Sequence, residues 1–428
     1  MSEDADFLYG AIHGFIQTSR TPVLLEPGEP QIPLQPGNFS LEVRSGRVTL
    51  QAWDEQRNIS RRVTAISEER AGRLDLVVER FGKRTGTLQL LDLGRPQVQT
   101  AVRRAARLTY RETFRHSLSR QFPGWRIAEL STEQDLHHTL SPSYPRALLK
   151  KGTSGIAAIG AGPESDPDGL LSFGLIWLDH LRRREPRLKI PSLALFLPLG
   201  RERATCLRLL YFDSVVAAYS VFVYSPEGFE DPVDLSDYGN IDTRVQRATE
   251  AIRTGHALST AKYREAFPEF WLEKQIRADI QSIDAGIQSS PVYGQVPAFA
   301  ATDRGIIDLL AVDILGRLAI LELKASQDIH LPLQALDYWI RVKWHLDRNE
   351  FSPNGYFPGV ALAPKPPRML LVAPSLDFHP TTETILSYLS PSIDVERKGL
   401  GMRWRDKIQV VFHAEGAKRP EFIGDTQS

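Results

Sequence analysis

Cysteine is almost absent: Cys206 is the only one in 428 residues. A lone thiol excludes an intramolecular disulfide and a cysteine-built zinc site. It suits a reducing compartment, so the chain reads as cytoplasmic. Net charge is absent too. The 52 Lys and Arg balance 52 Asp and Glu, so no global field announces a polyanionic partner, and any grip on one must be local. Long apolar runs are also missing. The longest, Leu170 to Leu181, is too short for a bilayer and carries Asp179, so no membrane partner is expected. The N-terminal Met1-Ser2-Glu3-Asp4-Ala5-Asp6 is acidic and lacks a signal-peptide pattern. No internal repeat and no low-complexity tract is visible. What is left is an ordinary globular composition, long enough for two or three domains.

The pattern of elements predicts an α+β multi-domain protein. Residues 1–96 read as a small antiparallel β module, with alternating strands at 40–43, 48–51, 74–78 and 87–91. Residues 97–243 read as an α/β domain that opens with a basic helix over about 97–121. Arg103, Arg107, Arg111 and Arg115 recur every four residues and so share one side of it. From 101 to 126 the only acid is Glu112. The stripe is open between a solvated face and a phosphate-binding one, which would make this domain the substrate-capturing part. Further on, a helix is predicted over 170–184 and strands over 192–197, 207–212 and 215–224. Lys150-Lys151-Gly152 reads as a loop able to touch phosphate, though it is no phosphate-loop motif. An acidic, turn-rich connector over 226–243 marks the main boundary, and residues 255–420 form the last domain.

That last part holds most of the information. Gly305-Ile306-Ile307-Asp308-Leu309-Leu310-Ala311-Val312-Asp313 is followed by a turn at Gly316 and then Leu318-Ala319-Ile320-Leu321-Glu322-Leu323-Lys324. This is a hairpin with acids planted in apolar strands, where an unpaired carboxylate is costly to bury. Glu322 and Lys324, two apart, share a face. If the turn centres on Leu315, Asp308 lies opposite Glu322. Two carboxylates and an ammonium then converge, an arrangement that a divalent cation would stabilise.

At this point the residues resemble a known family. Asp308 followed by Glu322-Leu323-Lys324 resembles the signature of the PD-(D/E)XK nucleases. Gln334 and Tyr338, in the helix-like stretch from Leu331, match the Gln-x-x-x-Tyr motif of the RecB-type branch. Upstream, Pro268-Glu269-Phe270-Trp271-Leu272-Glu273 opens a helix whose Glu273 resembles the branch's first acid. The resemblance spans about residues 268–345, and Ile307 stands where the family name has proline. It implies a restriction-endonuclease-like α/β core. It also implies a Mg²⁺ or Mn²⁺ ion held by Glu273, Asp308, Glu322 and the Leu323 carbonyl. Asp308, Glu322, Lys324 and Glu273 would be catalytic, with Gln334 and Tyr338 on the substrate, joined by Arg103, Arg107 and Arg111. The expected activity is phosphodiester hydrolysis, in DNA first, with RNA and homo-oligomerisation left open. The alternatives are a non-catalytic nucleic-acid-binding or scaffold protein of the same fold, and a small-nucleotide phosphodiesterase.

Other residues compete for attention. Glu396-Arg397-Lys398 repeats the Glu-x-Lys spacing in what reads as a mostly polar strand, and Pro167-Asp168 reads as a turn. Glu269 is explained by the helix dipole in the first turn after Pro268. Asp313 is expected to pair with Arg317, and His137-His138 to be a solvated pair. Trp339 and Trp344 read as packing residues.

Overall fold

The computed structural model describes residues 3–26, 31–54, 58–80, 84–162, 165–224, 230–239, 243–245, 268–300 and 303–416. The chain is an α+β multi-domain protein with two compact units, Met1–Thr113 and Phe114–Ser428. Among the described residues no helix is long and apolar enough to cross a membrane.

The first unit pairs helix α1 (Glu3–Thr18) with one antiparallel sheet. Its strands are β1 (Pro22–Leu25), β2 (Ile32–Pro33), β3 (Phe39–Arg44), β4 (Arg47–Trp53), β5 (Asn58–Arg70), β6 (Arg73–Arg80) and β7 (Arg84–Asp92). They lie in the order β2-β1-β7-β6-β5-β4-β3. Alternation builds the sheet: in β4, Val48, Leu50 and Ala52 are buried while the residues between them are not. Ala5, Ile12 and Ile16 of α1 join these residues in one core. Neither α1 nor the long β5 is legible in the sequence, because β5 is largely polar and its register shifts twice. Helix α2 (Pro96–Gln121) then carries the chain into the second unit.

The second unit holds two sheets. The first contains β8 (Arg126–Ser131), β9 (Arg146–Lys151), β10 (Ser154–Gly160), β11 (Lys189–Pro198), β12 (Ala218–Tyr224) and β13 (Glu230–Pro232). Helix α3 (Leu170–Arg184) links β10 to β11, and α4 (Arg203–Leu209) links β11 to β12. The second sheet contains β14 (Thr243–Val245), β15 (Tyr293–Ala300), β16 (Asp303–Val312), β17 (Leu318–Leu323), β18 (Arg368–Pro374), β19 (Val395–Leu400) and β20 (Val410–Glu415), in that order. Helix α5 (Pro268–Ala278) precedes β15, α6 (Leu331–Asp347) links β17 to β18, and α7 (Thr382–Leu386) links β18 to β19. Strands β17, β18 and β19 run parallel. They are buried except for Arg368 at the start of β18, as parallel strands between covered faces are.

Three expectations are corrected. Residues 207–212 are not a strand: α4 ends at Leu209, and Cys206 and Leu209, one turn apart, are both buried. A short apolar run fits a buried helix as well as a strand, and packing decides between them. Strand β19, with Glu396-Arg397-Lys398, is buried at all six positions rather than a polar strand. The boundary placed over 226–243 falls inside one compact unit. One apolar core runs from Leu175, Leu193 and Leu195 to Leu336, Trp339 and Leu371, joining the two sheets' helical faces. Part of that connector, and all of 246–267, lies outside the described residues.

Candidate metal centre

Strands β16 and β17 meet in a turn whose chemistry sets their register. The Asp313 carboxylate accepts from the backbone N–H groups of Leu315 (2.8 Å) and Arg317 (2.9 Å). Gly316 sits at φ +80°, and a Cβ there would fall 2.3 Å from the Ala361 carbonyl oxygen, so the turn requires glycine. Asp313 therefore serves the turn backbone. The Arg317 side chain goes instead to Asp394 (2.7 Å) and the Pro366 carbonyl (2.6 Å), in place of the expected Asp313 pair. Pairing runs Val312 with Leu318, Ala311 with Ala319, Leu310 with Ile320 and Leu309 with Leu321. One further step sets Asp308 opposite Glu322, the register predicted from a turn centred on Leu315.

Alternation then sorts the faces. Leu310, Val312, Leu318 and Ile320 enter the core shared with α6, while Leu309, Ala311, Ala319, Leu321 and Leu323 pack with Leu272 and Ile276 of α5. Glu322 thus belongs to the α6 side, while alternation breaks next to Asp308, since Ile307 joins the same core as Leu310. Asp308 Oδ2 accepts from the Leu323 backbone N–H (2.9 Å). Glu322 is only 3 % exposed. Its Oε1 lies 3.7 Å from Lys324 Nζ, and its Oε2 is buried without a hydrogen-bond partner. Lys324 Nζ is also 3.6 Å from Asp328 Oδ2, and its backbone N–H donates to the Val372 carbonyl (3.0 Å).

The charges bear out the cost of this arrangement. Burial, only partly offset by the Leu323 N–H and Lys324, pushes the Asp308 carboxyl up to about 6. Burial and then the Asp308 charge push Glu322 well above the usual carboxylate range. Burial alone would lower Lys324, but Glu322, Glu269, Asp328 and Asp308 together raise it. A buried and a half-buried carboxylate lie in the field of one ammonium, and one oxygen of Glu322 has nothing to bond. A hard divalent cation fits that donor set: it takes carboxylate and carbonyl oxygens and removes the repulsion.

The helices contribute unequally. In α6, Tyr338 is shifted upward by burial and then by the charges of Glu322 and Asp308, so its hydroxyl end lies in their field. The Oε1 of Gln334 is buried without a partner. The Arg341 guanidinium lies 5.9 Å from the Tyr338 ring centroid. Further along α6, His345 is buried, 2.6 Å from Glu350. Trp339 is a core residue whose indole N–H donates to the Pro367 carbonyl (2.8 Å), and Trp344 packs under Arg348.

The two acids of helix α5 sit in different surroundings. Glu273 is buried, and its Oε1 sits 2.6 Å from where a Gly294 Cβ would be, beside Arg277. Gly294 pairs with Leu309, whose side chain packs with Leu272 and Ile276, so Glu273 lies on the α5 face of the sheet. Glu269, read from sequence as a dipole acid only, is exposed in the first turn, and its charge acts on Asp308, Glu322 and Lys324 alike. Asp328 also escaped the sequence reading. Its Oδ1 accepts from the His330 backbone N–H (2.8 Å), so it looks like an ordinary turn residue before a helix.

The other candidates lie elsewhere. Arg103 and Arg104 of α2 are exposed, Arg107 is half-buried, and Arg111 is half-buried and engaged within the protein. Lys150 lies within strand β9 rather than in a loop, and pairs with Glu185 (3.0 Å). His138 is not simply solvated: it bonds Asp135 (2.6 Å) and its ring centroid is 4.2 Å from that of His180. Glu396, His413 and Glu415 bring ligand atoms within 4.8 Å of one another. However, Glu396 already takes Arg368 (2.6 Å) and Lys398 (3.1 Å), so its charge is met by cations of the protein. No protein-family model, curated protein or solved structure matches this chain, so the functional reading rests on these residues.

Proposed function

We propose that the chain is a divalent-metal-dependent nuclease of the PD-(D/E)XK type that hydrolyses phosphodiester bonds, in DNA first. The observation that carries this reading is the buried, unpartnered Oε2 of Glu322 beside Asp308, with both carboxyls held above their ordinary range. Asp308, Glu322 and the Leu323 carbonyl would hold Mg²⁺ or Mn²⁺, with Glu269 reaching toward it from α5. Such an ion supplies positive charge that acidifies an attacking water and neutralises the phosphoryl oxygens as charge builds on them.

The chain's own residues do the positioning. Lys324 is clamped between Glu322 and Asp328, and the carboxylates around it favour its ammonium form. It therefore orients the water and stabilises the phosphorus centre rather than serving as a base. Gln334 and Tyr338 would hold the scissile strand and the lysine in place. The exposed Arg103 and Arg104, with Arg107, contact phosphates without reading sequence.

The test is hydrolysis of DNA, RNA and cyclic nucleotides with Mg²⁺, with Mn²⁺ and with chelator, for the wild type and Lys324→Ala. The expected result is metal-dependent DNA cleavage that the variant loses while still binding Mn²⁺. Hydrolysis of cyclic nucleotides alone would instead favour a small-nucleotide enzyme. Inertness toward every substrate would favour a binding or scaffold role.

A further inference from the structure

The two sheets of the second unit are built by the same sequence of elements. Strands β8, β9 and β10 form an antiparallel meander, as β15, β16 and β17 do. From each meander a long helix, α3 or α6, leads to a parallel neighbour, β11 or β18. A short helix, α4 or α7, then leads to the next parallel strand, β12 or β19. Each sheet closes with an antiparallel strand, β13 or β20. Six strands and two helices agree in order, direction and connection, in a chain with no repeat legible in its sequence.

The two copies also face each other as twofold-related partners would. Helix α3 packs on α7, and α6 packs on α4. Just past the two short helices, Phe212 bridges Leu389. The Asp213 N–H donates to the Tyr388 carbonyl (2.9 Å), and the Ser390 N–H donates to the Tyr211 carbonyl (2.8 Å). Reciprocal contacts of this kind mark a self-complementary interface. The N-terminal ends of α3 and α6 also meet, with the Phe173 and His330 ring centroids 6.4 Å apart, and Arg208 joins the Asp168 carbonyl (3.0 Å) to the Asp337 carboxylate further along α6 (2.8 Å).

The ladders give the residue correspondence. Leu323 pairs with Val372, whose carbonyl accepts from the Lys324 N–H. Gly160 pairs with Phe196, whose carbonyl accepts from the Ala161 N–H. Glu322 and Lys324 therefore correspond to Ile159 and Ala161. Arg146 lies opposite Ile159 and corresponds to Asp308. Counted from the helix starts, Tyr338 corresponds to Trp177. Space agrees: Tyr338 lies in the field of Asp308, and Arg146 lies 5.6 Å from the Trp177 ring centroid. The acid–acid–lysine set of one copy is arginine, isoleucine and alanine in the other, which offers a divalent cation nothing.

Resting on the nuclease reading above, we infer that residues 126–232 are a second, non-cutting copy of the catalytic fold, and that the chain engages duplex DNA as an intramolecular pair and cuts one strand per binding event. The strands of a duplex are related by twofold axes, which twofold protein pairs match. A pair with one cutting copy offers hydrolysis to one strand and only contact to the other.

The test uses the full chain, at concentrations where sedimentation shows one chain per particle, with supercoiled plasmid and Mn²⁺. Open circles should accumulate, with linear DNA arising only from later independent events. An end-labelled single strand should be cut roughly tenfold or more slowly than the same strand in a duplex, because contacts to its complement are lost. Linear DNA as first product, or single strands cut as fast as duplex, overturns the pair while leaving the nuclease standing. Absence of cleavage on every nucleic acid, with Mn²⁺ bound, overturns the nuclease reading and the pair with it.

Discussion

Asp308→Asn should stabilise the metal-free protein and abolish its response to Mn²⁺. The Asp308 carboxyl is raised from 3.8 to about 6, chiefly by burial. The folded state therefore holds this proton more tightly than the unfolded one. Stability from this group is present at low pH and is lost as pH rises from about 4 through about 6. At about 1.4 kcal/mol per pH unit, an ionised Asp308 costs the metal-free fold up to roughly 3 kcal/mol. Asparagine keeps an oxygen for the Leu323 N–H (2.9 Å in the wild type) but carries no charge. The variant should gain about 1–3 kcal/mol at pH 7.5 in chelator, a rise of a few degrees in the melting of the second unit. At pH 4 the difference should vanish. Mn²⁺ at about a hundred times its Kd should stabilise the wild type by about 2.7 kcal/mol and the variant hardly at all. Calorimetry at both pH values, with chelator and with Mn²⁺, makes the comparison. A variant less stable than wild type in chelator at pH 7.5, or equally stabilised by Mn²⁺, would refute the assignment of Asp308 as a strained metal carboxylate.

Three further outcomes follow from the geometry. Glu269→Gln should weaken Mn²⁺ binding with little change in stability, whereas Glu273→Gln should lower the melting temperature and leave the Mn²⁺ Kd near wild type; titration calorimetry distinguishes them, and the opposite pattern would restore Glu273 as the ligand. Substituting Arg103, Arg104 and Arg107 by Ala should flatten the slope of log affinity against log salt by about one for each lost phosphate contact, and an unchanged slope would return the helix to a solvated face. A fragment starting near residue 250 should fail to melt cooperatively and should bind a hydrophobic dye, because Leu336, Trp339 and Leu371 lose the Leu175, Leu193 and Leu195 side of their core; a sharp transition near that of the whole chain would show that the shared core is dispensable.

Much of the candidate centre was legible because it depends on local rules. Alternation put Glu322 and Lys324 on one face, and the Gly316 turn centred the hairpin on Leu315, so Asp308 and Glu322 face each other as predicted. The α6 span, Leu331–Asp347, follows from its own periodicity. Other features depend on what packs against a segment. Residues 207–212 carry an apolar run that suits either strand or helix, and burial of Cys206 and Leu209 decided for α4. Glu269 and Glu273 sit one turn apart, so periodicity could not say which faces the site; that is set by how α5 lies on the sheet. The repeated topology left no trace in the residues, because a fold needs only the pattern of burial, whereas chemistry needs named side chains. Sequence thus determined the hairpin, the helix after it and the paired acids. Only the tertiary structure decided that the two sheets share one core and meet as twofold partners, since that rests on contacts between residues more than a hundred positions apart, such as Arg208 and Asp337.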